Sequence, residues 1–156
     1  MLNQKLVETE QDIENLRFIR NQCARYMTRY NEQISRSQQK HWWRTLNHNK
    51  YRCFLYYENE STIPIGYGVV YEPGDNTSWL TGGLIGGKRG EGFGKIIFES
   101  LIKESNFQPW LDVREDNERG RKLYEKLGFK YSEFKEYIAS NGDKFMAYIM
   151  EYSPNE

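Results

Sequence analysis

The residues best suited to chemistry lie in one run, Lys88-Arg89-Gly90-Glu91-Gly92-Phe93-Gly94-Lys95. Three glycines at alternate positions leave backbone N–H groups unshielded. The segment that follows, Ile96 to Glu104, reads as a helix, whose first turn adds unpaired N–H groups and the positive end of its dipole. Such a turn suits a pyrophosphate. A P-loop would need a glycine where Arg89 stands and Ser or Thr where Ile96 stands; the dinucleotide fingerprint would need a glycine at Lys95 or Ile97. Neither pattern fits. What is present is Arg-x-x-Gly-x-Gly, as Arg89, Gly92 and Gly94.

Downstream, Leu111-Asp112-Val113-Arg114 reads as a short strand, followed by Asn117 and then by Leu123-Tyr124-Glu125-Lys126-Leu127-Gly128-Phe129. The glycine turn and this strand-Asn-helix run together resemble the GNAT superfamily of acyl-CoA-dependent N-acyltransferases, over roughly Tyr51 to Tyr152. The resemblance implies an α/β fold: a central mixed, mostly antiparallel sheet of six to seven strands, helices on both faces, and a splay between the fourth and fifth strands where a thioester lies. It implies acetyl-CoA as co-substrate, with no metal.

It also implies roles for single residues. The backbone around Arg89, Gly90, Gly92, Phe93, Gly94 and Lys95 would hold the phosphates of CoA, with the side chains of Lys88, Arg89 and Lys95 adding charge. Gly82 and Gly83 interrupt an otherwise apolar fourth strand, as expected where a ligand or another backbone comes close. A backbone N–H on Leu84 or Ile85 would hold the thioester carbonyl and stabilise its oxyanion. Asn117 would bond the pantetheine arm or brace the strands; alone, it reads as a helix cap. Tyr124 would be the general acid, since a phenol with pKa near 10 can donate to a departing thiolate whose parent thiol titrates near 8.5. The proton acceptor is not identified: the fourth strand reads Ser78-Trp79-Leu80-Thr81 with no carboxylate, leaving Glu72, Asp75, His41, His48 or a water chain. The acceptor amine falls to the first two helices and their loop, where Tyr30, Trp42 and Trp43 would form an aromatic wall, one tryptophan being core.

These residues need elements to hold them. Lys5 to Glu8 reads as a first strand. Ile13, Leu16, Ile19, Cys23, Tyr26 and Tyr30 recur every three or four residues, so a helix should start at Thr9 or Gln11 and run to about Arg29. Ser35 or Ser37 caps a second helix with Trp42, Trp43 and Leu46 inward. Tyr51 to Tyr57, Ile65 to Tyr71 and Trp79 to Ile85 form an antiparallel meander. Glu118 to Leu127 is helical, and Lys130 to Ile138 and Lys144 to Tyr152 pair across the turn Asn141-Gly142.

The 156 residues suit one domain spanning the chain, and 22 basic against 22 acidic residues give no net charge, which argues against a partner held chiefly by electrostatics, nucleic acid included. Arg17, Arg20, Arg25, Arg29, Arg36, Lys40 and Arg44 read as a solvated helix surface rather than a binding patch. Cys23 and Cys53 have no metal-ligand spacing and read as reduced thiols. No run approaches the roughly 20 apolar residues of a membrane span, so the expectation is a cytoplasmic protein, monomer or homodimer. The function expected is acetyl transfer from acetyl-CoA to a primary amine of a small molecule. The alternatives are a protein or peptide amine and a non-catalytic acyl-CoA-binding module.

Overall fold

From Tyr51 to Leu84 the sequence is β-branched and aromatic between turn residues, and each such stretch is a strand. A computed structural model describes residues 2–155. In chain order the elements are β1 (Leu2–Leu6), α1 (Glu10–Gln22), α2 (Arg36–Thr45), β2 (Tyr51–Glu58), β3 (Pro64–Tyr71), β4 (Thr77–Leu84), α3 (Phe93–Glu104), β5 (Gln108–Arg114), α4 (Glu118–Leu127), β6 (Phe129–Ile138) and β7 (Lys144–Tyr152). The strands form one seven-stranded sheet in the order β1-β2-β3-β4-β5-β7-β6. Every neighbouring pair is antiparallel except β4 and β5.

That parallel pair positions everything that follows. It holds only at Thr77↔Gln108, Ser78↔Pro109 and Trp79↔Trp110; beyond Trp79 the two strands separate. The closed end is fastened by Glu72, whose carboxylate accepts from Ser78 Oγ at 2.6 Å, from Asn106 N at 2.7 Å and from Arg52 Nη2 at 3.0 Å. Ser78 Oγ in turn accepts from Phe107 N at 3.2 Å.

The sheet carries a core on each face. On one, α3 packs Ile97, Phe98 and Leu101 against Val70, Leu80, Leu111, Val113, Phe129 and Met150, with Leu123, Tyr124 and Leu127 of α4 partly buried beside them. Gly66 and Gly68 of β3 allow this approach: a Cβ at either would stand 2.6 Å from Ile97 Cδ1 or 2.7 Å from Leu101 Cδ2. On the other face, α1 places Leu16, Ile19 and Cys23 over Leu55, Tyr67 and Val69. Thr9 caps α1 in a capping box with Asp12, and Ser35 caps α2 in another with Gln38.

Of the boundaries that differ from the sequence expectation, three matter most. The first strand is Leu2–Leu6, not Lys5 to Glu8, because Thr9 is already the helix cap and Glu8 N donates to Asp12. α3 starts at Phe93, three residues ahead of Ile96. α1 stops at Gln22 and gives way to one 3₁₀ turn, Ala24–Tyr26. Side chains at its end draw the chain back: Arg20 donates to the carbonyls of Tyr30 and Glu32, and Asn21 both accepts from Ile34 N (2.8 Å) and donates to Ile34 O (3.0 Å). Tyr26 and Tyr30 keep α-helical spacing without being α-helical.

Candidate active site

The glycine run forms a turn with exposed donors. Gly90 and Gly92 sit at φ +84° and +86°, a left-handed conformation that side chains disfavour. Gly92 is the N-cap of α3 and offers no side-chain cap, so the N–H groups of Phe93, Gly94 and Lys95 are the orphans of a helix start. Those of Gly90, Glu91 and Gly92 also find no backbone acceptor among the described residues.

The side chains expected to add charge point elsewhere. Arg89 turns back to the end of α1, donating to Gln22 O at 3.2 Å and Cys23 Sγ at 3.6 Å. Lys88 pairs with Glu58 at 2.6 Å, and Lys95 lies 3.7 Å from Glu99 one turn on. A cation that sequence reasoning missed stands closer: Arg119 Nη1 lies 3.9 Å from where a Cβ of Gly90 would be. Its only sequence signal is its place two residues after Asn117.

The edge of β4 resolves the choice between Leu84 and Ile85. Ile85 N donates to Ile65 O at 2.9 Å, so Ile85 is corrected: its N–H is already used by β3. Backbone groups of alternate residues in a strand face opposite neighbours. Those of Leu84 and Gly82 therefore face the side where β5 has departed. The glycines themselves are also demanded by the protein: a Cβ at Gly82 would stand 2.6 Å from Tyr67 O, and one at Gly83 2.5 Å from Cys23 Sγ.

Across the splay, Asn117 caps α4 by accepting from Gly120 N at 3.1 Å. Tyr124, on α4, packs edge-on against Phe98, with ring centroids 4.9 Å apart, and more distantly against Phe129. Its hydroxyl has no hydrogen-bond partner among the described residues. Burial, with a contribution from the Asp112 charge, pushes its pKa well above the ordinary tyrosine value, so it is a protonated donor throughout the neutral range.

A cavity of about 470 Å³ runs from Tyr124 and Asn117 past Thr81 and Gly82 to the inner face of α2. Tyr30 and Trp42 line it. Trp43 does not, and is corrected: its ring lies 4.6 Å from that of His48, packed toward the α1 core. The helix phase explains this, since Gln39 and Trp42, three residues apart, share the inward face. None of Glu72, Asp75, His41 and His48 lines the cavity; the one carboxylate among its described lining residues is Asp112. Asp112 accepts from Trp79 Nε1 at 3.0 Å and from the Tyr137 hydroxyl at 2.9 Å. At Arg29, which lines the cavity, the α1–α2 loop is tied to the β6–β7 hairpin: Ser140 N donates to Arg29 O at 2.8 Å, and Asn31 bonds Ser140 and Asn141. No group of His, Cys, Asp and Glu among the described residues is arranged to hold a metal, and no helix is long and apolar enough to cross a membrane.

The acetyltransferase (GNAT) family profile matches residues 13–129. No curated protein sequence matches. Among solved structures, yncA of Salmonella typhimurium, solved with its cofactor acetyl-CoA, superposes with a TM-score of 0.79 at 15% identity, covering 100% of this chain and 95% of that one. Spermidine N-acetyltransferase SpeG of Vibrio cholerae gives 0.79 at 18% identity, covering 97% and 95%. The ribosomal-protein-S18-alanine N-acetyltransferase of Escherichia coli gives 0.71 at 20%, covering 98% and 95%. A polyamine and a protein are the named acceptors of the last two, so the shared fold does not choose the acceptor.

Proposed function

The chain belongs to the GNAT acetyltransferase family, and on that premise we propose that it is an N-acetyltransferase moving an acetyl group from acetyl-CoA directly to a primary amine of a small molecule. One observation carries the reading: the unpartnered hydroxyl of Tyr124 opens into the same cavity as the free edge of β4. The residues present fit the co-substrate. The naked N–H groups from Gly90 to Lys95 and the start of α3 suit its diphosphate, Arg119 adds charge beside them, and the β4 edge at Gly82 and Leu84 offers a ladder for its extended arm.

Acetyl-CoA supplies an activated acyl carbon; the chain supplies position and proton traffic. The amine nitrogen forms a bond to that carbon as the carbon–sulfur bond breaks. Leu84 N–H donates to the carbonyl oxygen, on which charge develops. Tyr124 donates toward the sulfur, so that CoA leaves as a thiol, and the proton shed by the amine goes to water or to Asp112. No covalent enzyme intermediate is needed: Cys23, the nearer thiol, lies under Gly83 with its pKa raised by burial.

The charged and aromatic side chains that line the cavity, Arg29, Asp112, Tyr30 and Trp42, support a small acceptor held by its own functional groups. The test is acetyl-CoA-dependent release of thiol over a panel of small amines and amino-terminal peptides, with the product identified by a mass gain of one acetyl group. Acetylation of peptides alone would refute the small-molecule assignment, and acetyl-CoA binding without turnover on any amine would refute catalysis.

A further inference from the structure

Three charged side chains line the cavity: Arg20, whose guanidinium is taken up by the carbonyls of Tyr30 and Glu32, and Arg29 and Asp112, which carry opposite signs and have no charged hydrogen-bond partner among the described residues. Arg29 lines it, with its guanidinium 4.5 Å from the ring centre of Trp79. It has no carboxylate partner and no side-chain hydrogen bond among the described residues. Asp112 lines the same cavity, and both donors it accepts from, Trp79 Nε1 and the Tyr137 hydroxyl, are neutral. Neutral donors satisfy a carboxylate's lone pairs without supplying a counter-charge. One indole therefore carries the cation on its face and the anion on its N–H, which fixes their separation at about the reach of a single ring.

Two further side chains point the same way. Thr28 and Gln39 are 8% and 5% exposed, line the cavity, and make no side-chain hydrogen bond among the described residues. No fully sealed polar side-chain atom there lacks a partner, so their polar atoms open onto the cavity. Burying a hydroxyl and an amide unsatisfied would be unfavourable; a polar ligand satisfies them.

We propose that the acceptor is a zwitterion of the amino-acid class, a primary amine that also bears a carboxylate, with the carboxylate on Arg29 and the ammonium directed to Asp112. This rests on the acetyltransferase reading and names the substrate class of that same site. A polyamine would bring a second cation to Arg29, and a simple alkylamine would leave Arg29 without an anion. Asp112 lies close enough to Tyr124 for its charge to be felt at the phenol, so an ammonium drawn to Asp112 arrives beside the reacting centre. Trp42, Tyr51 and Tyr67, also on the cavity wall, suit a flat or apolar side chain.

The experiment compares kcat/KM for matched pairs that differ only in the carboxylate: phenylalanine with phenethylamine, tyrosine with tyramine, histidine with histamine. The wild-type protein is expected to favour the carboxylate-bearing member by about tenfold or more, the order of a charge-assisted pair. Arg29→Leu, which keeps an apolar contact with Trp79, should erase that preference by lowering kcat/KM for the carboxylate-bearing member of each pair more than for its decarboxylated partner; Arg29→Lys should restore part of it. Equal kcat/KM within pairs, or an Arg29→Leu loss shared equally by both members, would overturn the inference while leaving acetyl transfer intact. Failure of the acetyltransferase reading shows separately, as no melting shift with acetyl-CoA and no turnover of either class.

Discussion

Tyr124→Phe separates chemistry from packing, because the structure gives the hydroxyl no structural task. The ring is held by Phe98 and Phe129, at 4.9 and 6.1 Å between centroids, and both contacts survive in phenylalanine. No hydrogen bond to the described residues is lost, so the change in stability should stay within about 0.5 kcal/mol, as for substitutions that break no partner. The acetyl-CoA-induced rise in Tm should likewise be unchanged. Proton donation by a positioned side chain contributes about 10²- to 10⁴-fold, or roughly 2.7 to 5.4 kcal/mol of barrier, and kcat should fall into that range. The raised pKa of Tyr124 fixes the pH profile: the acid is protonated from neutrality up to beyond the ordinary tyrosine value, so wild-type activity should show no alkaline loss from this group below about pH 10. The assay is thiol release under saturating acetyl-CoA, with thermal melts run beside it. Undiminished kcat would remove Tyr124 as the donor; a fall in kcat accompanied by an equal collapse of Tm would show that the hydroxyl is structural.

Acetyl-CoA at a hundred times its dissociation constant should stabilise the wild type by about 2.7 kcal/mol; Gly92→Glu, which forces φ +86° on a side chain and adds a negative charge among the N–H donors, should abolish that shift, and an unchanged shift would place the diphosphate elsewhere. Glu72→Gln should lower stability at pH 7 by about 1 to 3 kcal/mol. Burial alone would raise the Glu72 pKa, but hydrogen bonds from Ser78 and Asn106 and the Arg52 charge outweigh it and hold the carboxyl below its ordinary value. Its contribution is then complete above about pH 4.3 and is lost as pH falls through the depressed folded value, so the gap between variant and wild-type Tm should close in acid; a pH-independent gap would contradict the assignment. Burial raises the pKa of Cys23 and pushes that of Cys53 up to about 12, so an aromatic disulfide reagent at pH 8 should label neither thiol until denaturant is added.

The glycine turn and the later strands were legible because each is written in neighbouring residues: alternate glycines, period-two aromatics, Asn141-Gly142 at a turn with φ +90°. What escaped the sequence depends on register. Arg29, Trp79 and Asp112 are far apart in the chain: β4 and β5 bring Trp79 beside Asp112 by pairing at Trp79↔Trp110, and the bond from Ser140 N to Arg29 O ties the loop that carries Arg29 to the β6–β7 hairpin. The choice of Leu84 over Ile85 follows from which residue of β4 faces Ile65, and no local pattern records that. Spacing also misled at Tyr26 and Tyr30, where a helical period continued past the helix because cavity-lining aromatics happened to fall in step with it. Trp42 and Trp43 were equivalent on paper; one step of helix phase sends the first into the cavity and the second against His48.

With three residue pairs joining β4 to β5 and the Glu72 knot beside them, the sheet behaves as two leaves on a short hinge, and the gap at the far end is set by how firmly the hinge is pinned. A compound that prised open the corner at Asn106 and Phe107 would spread the leaves beyond Trp79, where the cavity lies between Gly82 and Tyr124. It would throttle turnover from a distance while competing with neither the thioester nor the amine.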